Sequence, residues 1–259
     1  GAMEDNLLTG RMKRVNINGV VVGQLPQLTD IAADRCYTCH DGLAEQFRKP
    51  GTHQPVMEGN CYACHAAHGS DHGGFVQASA PELCASCHTI DATLESAHEG
   101  YSLAQADCLD CHNPHVTEQP KLVRSTLHPP FADKSCDMCH EKGPDGRAVV
   151  SADMTGLCAT CHESVTEGAT LAHQHVPFAA CECGGCHGVH AADNKGLLKA
   201  EGGALCYSCH SDVREQTSLA VQHKPFTEGQ CLDCHKPHSS AYAGLTNKPS
   251  ESFCVSCHS

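Results

Sequence analysis

Strand-like alternation of apolar and polar residues is nearly absent from this chain. The longest apolar run, Val20 to Val22, is far short of the roughly 20 residues that span a bilayer, so the sequence predicts no transmembrane segment of its own. What recurs is one bulky apolar residue just before certain cysteines: Leu83 before Cys84, Leu157 before Cys158, Leu205 before Cys206 and Phe253 before Cys254. The segment PELCASCHTIDATLESAH opens on Pro81, favoured in the first helical turn, and meets no breaker up to His98; it predicts a helix. Ala204 to His223 reads the same way. Elsewhere, connections such as HNPH and HKPH cannot continue a helix. The expected fold is mostly irregular coil with short α-helices and little or no β-sheet.

Composition sharpens this picture. Only 6 Phe, 5 Tyr and no Trp occur in 259 residues, too few large side chains for an ordinary core. Cysteine is abundant instead, at 21 residues, which points to disulfides, metals or covalent cofactors. A net charge of −13 argues against nucleic acid, which needs clustered Lys and Arg. No Lys or Arg lies between Lys49 and Lys121, while nine Asp and Glu do; this is a solvated acidic surface or a docking face for a basic partner.

The cysteines fall into one motif, C-x-x-C-H, the signature of c-type haem attachment: two thiols form thioethers and the following His ligates the iron. It occurs ten times. The sets are Cys36, Cys39, His40; Cys61, Cys64, His65; Cys84, Cys87, His88; Cys108, Cys111, His112; and Cys136, Cys139, His140. They continue with Cys158, Cys161, His162; Cys183, Cys186, His187; Cys206, Cys209, His210; Cys231, Cys234, His235; and Cys254, Cys257, His258. Zinc knuckles do not require His after every second Cys, and disulfide scaffolds rarely repeat a fixed CxxC spacing. The expected cofactor is therefore haem c, ten copies, covalently attached.

Eleven further His remain as second axial ligands. Five lie eight or ten residues before a motif: His53, His98, His128, His175 and His223, four of them in H-x-P. Four lie three residues after a proximal His: His68, His115, His190 and His238. His72 and His173 are left over; one of them is needed if every iron is bis-His, and the sequence does not choose. The motif at Cys136 lacks the downstream His, reading CHEKG. Met12, Met57, Met138 and Met154 are weak competitors. His/His ligation implies lower reduction potentials than Met/His.

A longer period is also present. Cys36 and Cys158, Cys61 and Cys183, and Cys84 and Cys206 are each offset by 122, as are His53 and His175. The chain reads as an N-terminal extension, 1–29, in which 1–3 resemble an expression scar, and two tandem pentahaem halves, 30–143 and 144–259. Haem, not aromatic side chains, would fill the interior, and the chain without it should be largely unfolded. Cys181, the one cysteine outside the ten motifs, is either a free thiol or the first Cys of a wider C-x4-C-H site ending at His187.

Segments such as HKPFTEGQCLDCHKPH followed by FCVSCH resemble the doubled-CxxCH multihaem cytochromes. The two halves are similar to pentahaem periplasmic donors of nitrite reduction and to decahaem cytochromes of outer-membrane porin conduits. That resemblance implies an elongated fold with haems stacked along it and bis-His iron. It also implies electron transfer in the periplasm, at the outer membrane or outside the cell, after removal of a signal peptide. The implied partners are other redox proteins: cytochromes, a quinol-oxidising donor and an outer-membrane porin. A wire needs every iron six-coordinate. A terminal reductase would need one open iron with acid–base groups beside it, and the C-x-x-C-K motif of multihaem nitrite reductases does not occur. A third possibility is the subunit of an extracellular cytochrome filament.

Overall fold

The computed structural model describes residues 12–17, 20–26, 34–151 and 154–258. The scar at 1–3 lies outside the described residues. As expected, the described chain is mostly coil with short helices and small two-stranded sheets. Part of the N-terminal extension forms an antiparallel hairpin, Met12–Ile17 with Val20–Pro26, which the sequence reading did not anticipate.

Each C-x-x-C-H adopts one tight turn. In eight motifs the His main-chain N–H donates to the carbonyl of the first Cys, from His40 to Cys36 at 2.9 Å through His258 to Cys254 at 3.0 Å. The turn takes one of two settings. In the first the opening Cys lies in or directly after a short helix, as in Ala80–Ala85, Met154–Ala159, Gly202–Tyr207 and Ser250–Phe253. In the second it begins a 3-10 turn, as at Cys61–Ala63, Cys136–Met138, Cys183–Gly185 and Cys231–Asp233. A four-residue helix precedes each of those four, and its N-cap is the upstream His: His53, His128, His175 and His223, each extended and followed by Pro at the first or second helical position.

The long helices expected over 81–98 and 204–223 are each broken. The first stops at Ala85 and restarts at Ala92, where the Asp91 carboxylate accepts hydrogen bonds from the Thr93 and Leu94 main-chain N–H. An Asp that offers its own acceptor to the next turn competes with helix continuation, and Thr89 and Ile90 before it are β-branched. The second stops at Tyr207, restarts over Ser211–Glu215 and ends before Leu219. His98 does close a helix, Ala92–Ala97, whereas His223 opens one, Lys224–Thr227.

Two compact units divide the chain. One runs to Thr89 and includes Asp107–Leu109 and Asn113–Leu122; the other holds Ile90–Ala106, Asp110–His112 and Val123–Ser259. In the first, Thr52 bridges Val116 across segments far apart in sequence. The second contains two like it, Thr126–Leu127 with Ala191–Ala192 and His173–Gln174 with Ser239–Ser240. Glycine aside, the buried residues of the described chain are all on these bridges: Thr117, Ala191, Ala192, Ser239 and Ser240, the last at 1% exposure. No side-chain core of ordinary kind exists among them. Large apolar side chains such as Phe75, Met57 and Leu232 instead stand exposed on the polypeptide. After His140 the backbone does something different: His140–Lys142 pairs locally with Ala148–Val150, so the strand that elsewhere carries a downstream His is already taken.

Candidate haem-binding centres

The bridges position imidazoles. In each, the upstream His donates its main-chain N–H to the carbonyl of a downstream His: His53 to His115, His128 to His190 and His175 to His238, all at 2.8 Å. The two imidazoles of a bridge then turn to different motifs. His53 faces His88 at 6.1 Å between ring centroids and His115 faces His65 at 5.9 Å. His128 faces His162 at 6.0 Å and His190 faces His140 at 5.6 Å. His175 faces His210 at 6.0 Å and His238 faces His187 at 6.0 Å. Two more pairs form without a bridge, His98 with His112 at 6.2 Å and His223 with His258 at 5.9 Å.

The imidazoles of each pair face one another at a ring-to-ring separation near 6 Å. It suits an iron held between two imidazole nitrogens, given metal–nitrogen bonds of about 2.0–2.1 Å. The Nε2 atoms of His140 and His190 point at one another across 3.4 Å. Phenylalanine rings brace the downstream member: Phe47 lies 5.5 Å from His115, Phe131 5.6 Å from His190 and Phe178 5.2 Å from His238.

Nδ1 contacts decide which nitrogen is free. His65, His187 and His235 each bond through Nδ1 to the carbonyl of a glycine nine residues on: Gly74 at 2.8 Å, Gly196 at 2.8 Å and Gly244 at 2.9 Å. His53 and His175 bond the Pro114 and Pro237 carbonyls at 3.1 and 3.0 Å, and His98 bonds that of Leu94 at 2.8 Å. A carbonyl only accepts, so these Nδ1 atoms carry the proton and Nε2 keeps its lone pair for a metal. Burial also holds His115, His128, His190 and His238 below the ordinary histidine range, which favours the neutral, ligating form. The donor set therefore fits haem: imidazoles facing in pairs, with thiols beside one member of each. Among the described residues, no group of three or more His, Cys, Asp or Glu is gathered around a bare metal ion.

The glycine carbonyls escaped the sequence reading. They sit where the backbone needs positive φ, 69° at Gly74, 70° at Gly196 and 67° at Gly244, with Lys121 at 61° in the same slot after His112. The usable signal was a glycine nine residues after a proximal His. Cys181, at φ 57°, occupies the turn slot of Gly59, Lys134 and Gly229, all of positive φ. The Cys183–Cys186 turn keeps the form of its relatives, with His187 N–H donating to Cys183 at 3.0 Å.

Two proximal histidines, His40 and His235, have no facing imidazole among the described residues, and neither do His68, His72 and His173. His68 thus stands apart from the other three downstream histidines, with which the sequence grouped it.

Comparison with known proteins agrees with this geometry. The family described as "Doubled CXXCH motif" matches residues 53–93, 175–215 and 223–259, and "Cytochrome c7 and related cytochrome c" matches 94–163. A protein named multiheme cytochrome MtrA, from Shewanella baltica, is 31% identical over 114 residues, which is 42% of this chain and 32% of that relative. The repeated attachment turns, the paired imidazoles and these matches together place the chain among the multihaem c-type cytochromes.

Proposed function

We propose that the chain carries ten haems on its ten C-x-x-C-H motifs and passes electrons along them. Multihaem cytochromes are electron-transfer proteins; the number of haems and the path are what this reading adds. The observation that carries it is the set of eight imidazole pairs, because an iron with both axial positions filled by protein takes and gives electrons without binding substrate. Haem, when bound, supplies the one-electron chemistry. The cysteines of each motif would hold it through thioethers, and the paired imidazoles would set its potential low relative to Met/His ligation.

The pairing also orders the centres. Four of the five upstream His serve the motif after their own: His53 on the Cys61 motif faces His88, His128 faces His162, His175 faces His210 and His223 faces His258, while His98 faces His112 of its own motif. Cys61 lies beside Cys36, Cys84 beside Cys108, Cys158 beside Cys183 and Cys206 beside Cys231. Neighbours in sequence are thus neighbours in space, which supports an electron path that follows the chain within each unit. The tandem halves 30–143 and 144–259 belong to the same proposal, supported by equivalent pairings at the 122-residue offset: His53–His88 with His175–His210.

The relative named MtrA supports a place among exported electron carriers with other redox proteins, such as cytochromes or a porin-bound chain, as partners; the present match spans about a third of its length. The acidic chain should meet such partners transiently and in a salt-sensitive way. The test is intact mass of the holoprotein together with electron paramagnetic resonance of its oxidised form. Ten covalent haems, with at least eight low-spin ferric centres, are expected. Fewer attached haems, or high-spin signal from most of them, would end this reading.

A further inference from the structure

The eight facing imidazole pairs are not alike in angle. Seven have ring planes between 13° and 36° apart, close to parallel. The eighth, His98 with His112, is crossed at 62°. His98 also differs in what holds its ring. His53 and His175 bond through Nδ1 to a proline carbonyl on a partner strand, whereas His98 bonds its own helix at the Leu94 carbonyl. The direction of its ring plane therefore follows the rotation of the helix Ala92–Ala97.

The segment leaving this helix, 99–105, is gripped by the hairpin that pairs His140–Lys142 with Ala148–Val150. Lys142 Nζ donates to the Gly100 carbonyl at 2.6 Å, and Ser102 N–H donates to the Gly146 carbonyl at 2.9 Å. The Arg147 guanidinium donates to the Gln105 side-chain oxygen, and Asp145 accepts from its Nε at 2.6 Å. Ahead of the hairpin, Lys134 pairs with Glu99 at 2.7 Å. Both are non-glycine residues at positive φ, 58° at Glu99 and 57° at Lys134, a conformation that persists where several contacts impose it. Gly100 N–H and Leu103 N–H return to the Glu95 carbonyl and carboxylate at 2.8 and 3.4 Å, so segment and helix turn as one piece.

We infer that the hairpin 140–150 is a positioning device: through segment 99–105 it holds His98 crossed to His112 and sets that one haem apart from the parallel-ring centres. The physical reason lies in the dπ orbitals of the iron. Parallel imidazoles act on the same one of the two and split them; crossed imidazoles act on both and leave them nearly level. Near-level orbitals leave orbital angular momentum unquenched, which spreads the ferric signal to a large maximal g value. They also stabilise the ferric state less, which raises the reduction potential, axial ligation being one of the protein's levers on it. An electron on the chain is then favoured at the His112 haem over its parallel-ring neighbours.

The inference rests on the haem reading above, so haem count by intact mass is taken on every sample. Electron paramagnetic resonance of the oxidised holoprotein should show a large-gmax low-spin haem, and a redox titration followed at that signal should place it above the rhombic ones. His98→Ala should remove one such signal per chain and replace it with a high-spin one. Lys142→Met with Arg147→Met, which removes two grips and touches no ligand, should turn the signal rhombic and lower its potential, with haem count and low-spin count unchanged. Lys142→Arg, which keeps a donor within reach of Gly100, should keep the signal. Where the double variant attaches fewer haems, Lys142→Met alone is read in its place. A hairpin variant that retains the large-gmax signal overturns the inference. So does one that makes the His112 haem high-spin, because the hairpin would then keep His98 on the iron instead of setting its angle. An unchanged large-gmax signal in His98→Ala overturns it too. Ten haems with rhombic signals alone would sink this inference and leave the electron-transfer reading standing.

Discussion

The motifs at Cys108 and Cys231 have the same five residues, CLDCH, and both continue to Pro and His, yet their proximal histidines fare differently. His112 is faced by His98, from its own upstream segment. His235 is faced by none among the described residues, and its upstream His223 turns to His258 of the next motif. The difference begins two residues apart in spacing: His98 ends the helix Ala92–Ala97 and anchors its Nδ1 on Leu94, whereas His223 begins the helix Lys224–Thr227. An imidazole's service is set by the backbone that carries it, not by its distance from the nearest motif.

The largest expected effect spares neither region. Expressed without haem attachment, the chain should show no cooperative thermal unfolding by circular dichroism, since its polypeptide buries almost no apolar side chain. Next, His98→Ala and His223→Ala should each leave one additional high-spin ferric haem per chain, at different motifs. Adding Cys254→Ala and Cys257→Ala, which removes the last haem, should erase the signal of His223→Ala and leave that of His98→Ala. If both signals persist, the contrast between the two motifs is wrong.

A bridge can be broken without touching a ligand. A Cβ on Gly51 would lie 1.9 Å from the Thr117 carbonyl oxygen, at φ +86°, so Gly51→Ala should cost about 2–5 kcal/mol in chemical denaturation. It should disturb the His88 and His65 haems together, because His53 and His115 leave the same bridge. The smallest effect compares one slot in the two motifs directly. Lys121 after His112 and Gly244 after His235 share positive φ, so Lys121→Gly should stabilise and Gly244→Ala destabilise, each by about 1 kcal/mol. Equal signs from the two would show that backbone strain is not what separates them.

Much of the chemistry was legible beforehand. C-x-x-C-H is a local motif: its two thiols and its His need only one turn of backbone, and sequence records such turns directly. The H-x-P stretches marked ligand positions, but that four of them open four-residue helices, while HNPH and HKPH open none, emerged only in the structure. Local reasoning failed where competition was involved, as when Asp91 capped a new helix and divided the one expected from Pro81 to His98. The N-terminal hairpin was also missed, since Val20 to Val22 was weighed only as a possible membrane run.

By itself, then, the sequence pointed to haem c and displayed ten C-x-x-C-H motifs with a pool of further histidines. Only the tertiary structure decided which imidazole faces which, because partners such as His128 and His162, or His65 and His115, are brought together by short main-chain bridges between segments some 60 residues apart, as with His53 and Pro114 (61 apart) and His175 and Pro237 (62 apart). Spacing along a chain encodes a turn well; it carries no record of which distant strand will come to lie beside it.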